Sequence, residues 1–298
     1  MSNFFQKYFF YIFIVFSMFV WGISWPSAKI VSVYGKPVEI LCIRFFVVWL
    51  VLGLILILRK VYFNILFAQA WKNILITGLL MTSYSYCFLN GVSHGFAGAG
   101  GVLVTTLNPI FAFALGLLLE KKVPKLTQLI GLSIGLVAGL VLLKIWAISS
   151  FLLDTGNLFF LAAALIWAIM SKITAKASQY GDSAIFSFYL YVVTWLVLVS
   201  FSDFSEITHI LKVSDGKFWI NIFFNGAIST SICTTFYFYA TTKVGAENAS
   251  SFIFLVPISA AISSFVILGE NILLNTLIGG VLGVVAVYLI NRKSNAKA

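Results

Sequence analysis

Ten apolar runs follow one another along the chain, at approximately 9–30, 38–58, 73–92, 97–119, 126–143, 157–175, 184–202, 218–239, 246–268 and 272–290. A helix needs about 20 apolar residues to cross the hydrocarbon core of a bilayer. The runs are apolar on every face, whereas barrel strands alternate apolar and polar, which argues against a β-barrel. Polar joints separate the runs, such as Arg59-Lys60, Glu120-Lys121-Lys122 and Gln179-Tyr180-Gly181-Asp182. The longest joint, Ser202 to Lys217, leaves room for no more than a short amphipathic turn, and no linker is long enough to separate soluble domains. The first run carries Trp21, Trp25 and Pro26 and lacks a small-x-small cleavage site, so it does not read as a cleaved signal peptide. The pattern predicts an all-α integral membrane protein with ten transmembrane helices.

The runs repeat. Between 107–142 and 255–290, at an offset of 148 residues without a gap, 11 of 36 positions are identical, including Pro109 with Pro257, Gly131 with Gly279 and Gly135 with Gly283. Shared Leu and Ile are cheap in apolar spans; a proline and two glycines in register are not. Gly78 with Gly226 and Phe88 with Phe236 extend the match backwards, and Trp21 with Trp167 starts a similar pair at an offset of 146. The chain therefore divides into a first five-helix repeat, 1–145, and a second, 146–298. Five is odd, so the second copy enters the membrane from the opposite side and the repeats are inverted. Such inverted pairs mark transporters, with the substrate site where the halves meet.

Composition and charge sharpen this. The chain is 61% hydrophobic and 9% charged, with mean hydropathy +1.05, against about 25% charged for a soluble domain. The net charge of +10 does not point to nucleic acid, because the Lys and Arg lie between the apolar runs. With both termini in the cytoplasm, 13 basic residues fall on the inner side and 5 on the outer, with Arg44 left inside a span. The positive-inside rule then favours cytoplasmic N- and C-termini in a multi-pass protein of the cell (inner) membrane. At the repeat's matching joint, Lys122 stands on the inner side and Glu270 on the outer. Cys42, Cys87 and Cys233 lie in apolar runs and His94 and His209 are isolated, so neither a disulfide, a metal site nor a cofactor is expected.

Trp21-Gly22 with Lys29, Pro37 with Arg44, Pro109, and Pro257, Gly269-Glu270 and Gly279 together resemble the drug/metabolite transporter superfamily, specifically its EamA group. The resemblance covers nearly the whole chain. It departs at one place: the first half carries Lys121-Lys122 where a Gly-Glu pair is usual, with Glu120 displaced by two. That favours an anchoring role for these acids over a shared functional one. The resemblance implies a central cavity lined by spans 1–4 and 6–9, with spans 5 and 10 peripheral, and alternating access for a small metabolite, often by export.

Several residues are candidates for contact with such a metabolite. Arg44 lies about two turns into the second run. An unpaired Arg in hydrocarbon costs about 2.5–3.5 kcal/mol on insertion scales, so it should face a cavity or a partner. It reads either as a contact for a substrate carboxylate or phosphate, or as a structural pair with Glu39 or a snorkelling anchor. Lys29 is a lesser candidate nearer the outer surface. Asn225, Ser229, Cys233 and Tyr237 recur every four residues, which puts them on one helical face; Thr77, Met81 and Ser85 match them in the first half, with Tyr86 and Asn90 close by. That stripe is either a cavity wall or a set of interhelical hydrogen bonds. Trp21, Trp25, Trp167, Tyr189, Tyr191 and Trp195 could stack on a flat substrate or serve as packing and interface anchors. Pro109 and Pro257 break backbone bonds in mid-span, as hinges or as tolerated kinks. The GxxxG patterns at Gly131, Gly135 and Gly139 and at Gly279 and Gly283 signal close packing against another span or a second subunit, so a homodimer is left open. The Gly-rich stretch 95–101 follows no strand and reads as tight packing rather than a phosphate loop.

A carrier for a small organic solute is the function these features favour. No Walker A motif is present to couple it to ATP. All nine acids lie near joints or span ends, so a simple proton relay in mid-membrane is not evident. An intramembrane protease would need H-E-x-x-H or two deep Asp, and neither occurs. The alternative is a membrane receptor or scaffold without transport activity, which would be expected to carry large soluble modules or long loops.

Overall fold

The apolar runs fold as helices in the computed structural model, which describes residues 2–62, 65–95, 97–143, 155–268 and 274–292. In chain order these are α1 (Ser2–Val31), α2 (Pro37–Leu58), α3 (Phe67–His94), α4 (Ala97–Glu120), α5 (Leu126–Leu143), α6 (Thr155–Thr174), α7 (Ser183–Phe201), α8 (Phe204–Val213), α9 (Gly216–Phe223), α10 (Thr235–Val244), α11 (Ala246–Ser251), α12 (Val256–Leu268) and α13 (Leu274–Asn291). A π-helix, Phe224–Thr234, joins α9 to α10, and a 3-10 turn, Phe252–Leu255, joins α11 to α12. The eighth expected crossing is thus α9 through α10, and the ninth is α11 through α12. Among the described residues there is no strand, only an isolated bridge between Ile65 and Gly181. The chain is an all-α multi-pass membrane protein.

Among the described residues, six stretches are long and apolar enough to cross a bilayer, and Leu126–Leu142 and Ile278–Asn291 are shorter apolar helices. The other two expected crossings, α3 and the α9–α10 rod, are more polar, and they occupy matching places in the two halves. Each turns one face inward, α3 through Met81 and Ser85 and the rod through Ser229 and Thr234, where polar groups can be accommodated away from lipid, and each exposes apolar residues such as Leu75, Leu79, Ile228 and Ile232 on the other. Large apolar side chains such as Leu54, Ile57, Val266 and Val281 point outward from the rim helices.

The halves are inverted. Glu120, at the end of α4, lies within ion-pairing distance of the same lysine as Glu247, near the start of α11. The end of α4 therefore meets the beginning of its repeat partner, and the two run antiparallel. The same holds for α5 and α13. A Cβ on Gly131 would sit 3.1 Å from Ala286 O, and one on Gly279 would sit 3.0 Å from Ala138 O. Gly135 and Gly283 meet Phe254 and Gly139 meets Thr106, so the packing partners of both glycine stripes are other segments of the same chain.

Helix starts follow local chemistry. Asp182, Asp203 and Asp215 are the N-caps of α7, α8 and α9, accepting from Ala184 N, Ser205 N and Phe218 N at 2.7, 2.9 and 3.0 Å. Pro37 occupies the first turn of α2, where its missing N–H costs nothing. Gly245, at φ +84°, ends α10 in a conformation that L side chains rarely adopt.

Three expectations need correction. The joint after Ser202 is more than a turn: α8 is a ten-residue helix, capped by Asp203 and anchored by Ile210, which is fully buried. The second-half proline does not interrupt a continuous helix. Pro257 is the second residue of α12, and the backbone irregularity falls on the 3-10 turn just before it, whereas α4 runs unbroken through Pro109. The eighth crossing does not keep the α-helical period. Across the π-helix, Thr230, Ser231 and Thr234 hydroxyls each donate to the carbonyl five residues back. A spacing of four no longer selects one face there. Gly269 and Glu270, and with them half of the Lys122/Glu270 comparison, lie outside the described residues.

Candidate functional site

A partly enclosed cavity of about 620 Å³, counting the open space at its mouth, lies at the seam between the halves. Both halves build it. From the first come Trp21, Ser24 and Trp25 on α1, Arg44 on α2, Met81, Tyr84, Ser85 and Phe88 on α3, and Val104, Thr105 and Asn108 on α4. From the second come Trp167 on α6, Ser229, Thr230 and Thr234 on the π-helix, and Ile253 and Val256 at the 3-10 turn.

The walls are aromatic. Trp21 and Trp167 meet edge to face with ring centroids 5.1 Å apart, and Tyr84 packs on Trp167 at 4.6 Å. Trp25 meets Phe88 at 4.7 Å. Tyr237 closes the cluster from behind, 5.0 Å from Trp21 and 5.6 Å from Trp167.

The charge in the cavity belongs to Arg44. Its guanidinium donates to Thr230 Oγ1 at 2.6 Å. That hydroxyl spends its own proton on Asn225 O at 2.8 Å, so it is oriented as an acceptor. The i−5 bond exists because the segment is a π-helix, so the backbone irregularity is what turns Thr230 toward Arg44. Arg44 Nε is buried without a partner, as are Ser85 Oγ and Asn108 Oδ1. Asn108 is held by its amide, which donates to Ala164 O at 3.1 Å and leaves the oxygen free. Buried polar groups are nearly always satisfied, so several orphans around one cavity mark a place for a ligand or ordered water. Arg44 does not pair with Glu39, whose Oε1 accepts from Asp203 N at 3.2 Å, and no ion pair to Arg44 occurs among the described residues.

The structure thus brings together Trp21, Trp25, Arg44, Trp167 and Ser229, with Tyr237 directly behind. It places the other candidates elsewhere. Tyr86 is on an exposed face of α3 and Asn90 donates to Tyr86 O within the same helix. Asn225 donates to Ser27 Oγ at 2.6 Å, and Ser27 in turn donates to Asn221, which ties α1 to the eighth crossing. Lys29 donates to Val92 O at 2.7 Å and to Ser93 O and Gly95 O at 3.4 and 3.3 Å, holding the last carbonyls of α3. Tyr84, Asn108 and Thr230 were missed by sequence reading. Tyr84 and Asn108 stand beside singled-out positions, at Ser85 and Pro109, but only the fold turns them inward.

At one end of the seam an ion-pair cluster joins the two halves. Lys172, at the end of α6, pairs with Glu247 and lies 3.3 Å from Glu120, while Lys122 reaches Glu120 at 2.5 Å and Glu247 at 3.9 Å. The hydrogen bond to Glu120 holds the Lys122 ammonium above the usual lysine range. The side chains of Lys172 and Glu247 are only 8% and 12% exposed. Gly116 faces this pair, and a Cβ there would collide with Glu247 Oε1. The cluster lies roughly three turns beyond Asn108 along α4 and one and a half beyond Trp167 along α6.

The family pattern of the EamA-like transporters matches the chain twice, over residues 8–144 and 154–292. The chain belongs to the EamA-like transporter family. It is a membrane transporter. Among similar proteins are the uncharacterized transporter YvbV of Bacillus subtilis, 23% identical over 95% of this chain and 92% of that one, and an uncharacterized transporter of Archaeoglobus fulgidus, 22% identical over 92% and 95%. A chloroplastic WAT1-related protein of Arabidopsis thaliana is 26% identical over 92% of this chain and 67% of its own length. A solved structure titled only as a crystal structure of protein shares the fold, with TM-score 0.72, 15% identity and coverage of 93% and 95%. The two EamA matches fall on the two halves that enclose the cavity.

Proposed function

We propose that this EamA-like transporter is a secondary carrier that exports a small organic metabolite by alternating access. The two five-helix repeats, 1–145 and 146–298, are the bodies that rock against each other. The observation that carries this reading is the position of the cavity: both halves line it, and Arg44, the one cation among its described lining residues, keeps an unpartnered buried nitrogen. Arg44 anchors the anionic group of the substrate, and Trp21, Trp25 and Trp167 hold its apolar body. The Lys172–Glu247–Glu120–Lys122 cluster latches the halves at the end assigned to the cytoplasm. Opening that latch exposes the cavity to the inside, with Pro109 and the turn before Pro257 as the sites of bending. Both termini lie in the cytoplasm and the carrier works in the cell (inner) membrane.

Uptake into proteoliposomes of a labelled panel of amino acids, nucleotides and vitamins tests this. The reading expects saturable movement of at least one member and its loss in Arg44→Ala. Movement of none would contradict transport, and unchanged movement in Arg44→Ala would remove Arg44 from the substrate contact.

A further inference from the structure

The charge inventory of the cavity goes beyond the presence of a carrier. Among the described lining residues Arg44 is the one charged group; no Asp, Glu, His or Lys joins it. The described acids are engaged elsewhere or lie off the cavity: Glu120 and Glu247 in the latch, Glu39 at the start of α8, Glu206 in the first turn of α8, and Asp182, Asp203 and Asp215 at helix caps. The other titratable side chain in the lining is Tyr84. Tyr191, which donates to Thr230 O at 3.3 Å, and Tyr237, which shares a bond with Ser171 Oγ at 3.2 Å, stand behind the wall. None of these is a carboxylate that could shuttle a proton at neutral pH.

The geometry points to a planar organic monoanion as the substrate, exported by the membrane potential alone without a coupled proton. This rests on the carrier reading above and specifies its substrate class and driving force. The anionic group meets Arg44 Nε. The ring lies among Trp21, Trp25, Tyr84 and Trp167, and a hydroxyl or amide on it donates to Asn108 Oδ1. An ammonium on the same molecule would find no carboxylate partner and would stand near a guanidinium, so zwitterions and cations are disfavoured. The driving force follows from the same count. The loaded site is neutral and crosses without charge. The empty site carries the Arg44 charge, and an inside-negative potential draws it back toward the cytoplasm. Each cycle moves one negative charge out, and no proton gradient enters.

The test uses three probes with one ring: benzenesulfonate, which stays ionised and does not leak as a neutral acid, benzylammonium, and phenylalanine. Binding is read by quenching of cavity tryptophan fluorescence, and flux by loading the full-length carrier into vesicles and setting the potential with a potassium gradient and valinomycin. Benzenesulfonate is expected to bind at least tenfold tighter than the other two. At an inside-negative 100 mV it should equilibrate about 50-fold lower inside the vesicles, the ratio that one charge in that field sets, with no response to an imposed pH gradient. Arg44→Gln should lose quenching and flux while its unliganded melting temperature stays near wild type. Equal or tighter binding of phenylalanine or benzylammonium, no binding of any of the three, or flux that follows the pH gradient or ignores the potential would each overturn the inference. If benzenesulfonate binds selectively but neither it nor any metabolite of the panel moves, the carrier reading fails instead.

Discussion

The indole rings of Trp21 and Trp167 meet edge to face, with centroids 5.1 Å apart and planes at 88°. These residues hold matching places in the two repeats, so the duplication brings its own copies together at the wall of the cavity. Edge-to-face pairs are worth about 0.5–1.5 kcal/mol beyond their burial. A double-mutant cycle of Trp21→Leu and Trp167→Leu, read by unfolding in detergent, should return a coupling in that range. A coupling of zero would place the rings out of contact.

Thr230 holds Arg44 through a hydroxyl whose own proton goes to Asn225 O, five residues back in the π-helix. Thr230→Val removes the acceptor and keeps the shape. Hydrogen bonds to charged groups are worth about 1.5–3 kcal/mol, so ligand affinity should fall by about tenfold or more. Thr230→Ser should restore most of it. Equal affinity in the Val variant would show that the bond does not position Arg44.

The latch gives a test of packing. Gly116 lies where any side chain would strike the Lys172–Glu247 pair, so Gly116→Ala should weaken it. Removing one partner of a buried pair costs about 3–5 kcal/mol, and Lys172→Gln should lower the melting temperature accordingly. The charge-swapped double variant, Lys172→Glu with Glu247→Lys, should recover part of that loss. No loss in Lys172→Gln would show that the cluster carries no weight.

Asp215 accepts from Tyr34 at 2.7 Å as well as from Phe218 N, and the Tyr34 hydrogen bond holds its carboxyl below the usual aspartate range. Asp203 is likewise lowered, chiefly by its bond from the Ser205 hydroxyl. Their contribution is therefore complete above the ordinary aspartate value of about 3.9 and is lost as pH falls through the lower folded-state values. Hydrogen-exchange protection at the first turns of α8 and α9, taken relative to the intrinsic rate at each pH, should fall in acid below that value. In Asp215→Asn the pH-dependent fall at α9 should vanish; its persistence would put the pH response elsewhere.

Much of this was legible in the sequence, because lipid leaves few options for a run of 20 apolar residues. Pro109, Pro257 and the glycine stripes carried the duplication, and an odd number of spans per copy required inversion. Arg44, Trp21, Trp25 and Trp167 stood out because charge and paired aromatics are costly or conspicuous in a membrane. Asn225 and Tyr237 were drawn to the cavity wall by an α-helical spacing that the π-helix breaks, and nothing local in Phe224–Thr234 announces that break. Asn108 and Tyr84 become cavity residues through tertiary packing, which no spacing rule encodes. The latch was hidden for the same reason: Glu120, Lys172 and Glu247 sit at the ends of three separate helices and meet only in the folded chain.

The central claim is a cavity at the seam whose exposure to the cytoplasm is governed by the latch. Ser85 reports on it well, since its hydroxyl has no partner to lose. In a background with Cys42, Cys87 and Cys233 replaced by Ala, Ser85→Cys is labelled with a membrane-impermeant thiol reagent in right-side-out and inside-out vesicles, with and without Glu247→Gln. With the latch intact, labelling should come from the outer side; Glu247→Gln should raise the rate from the cytoplasmic side at least tenfold. A cytoplasmic labelling rate that is the same with and without the latch would contradict the account.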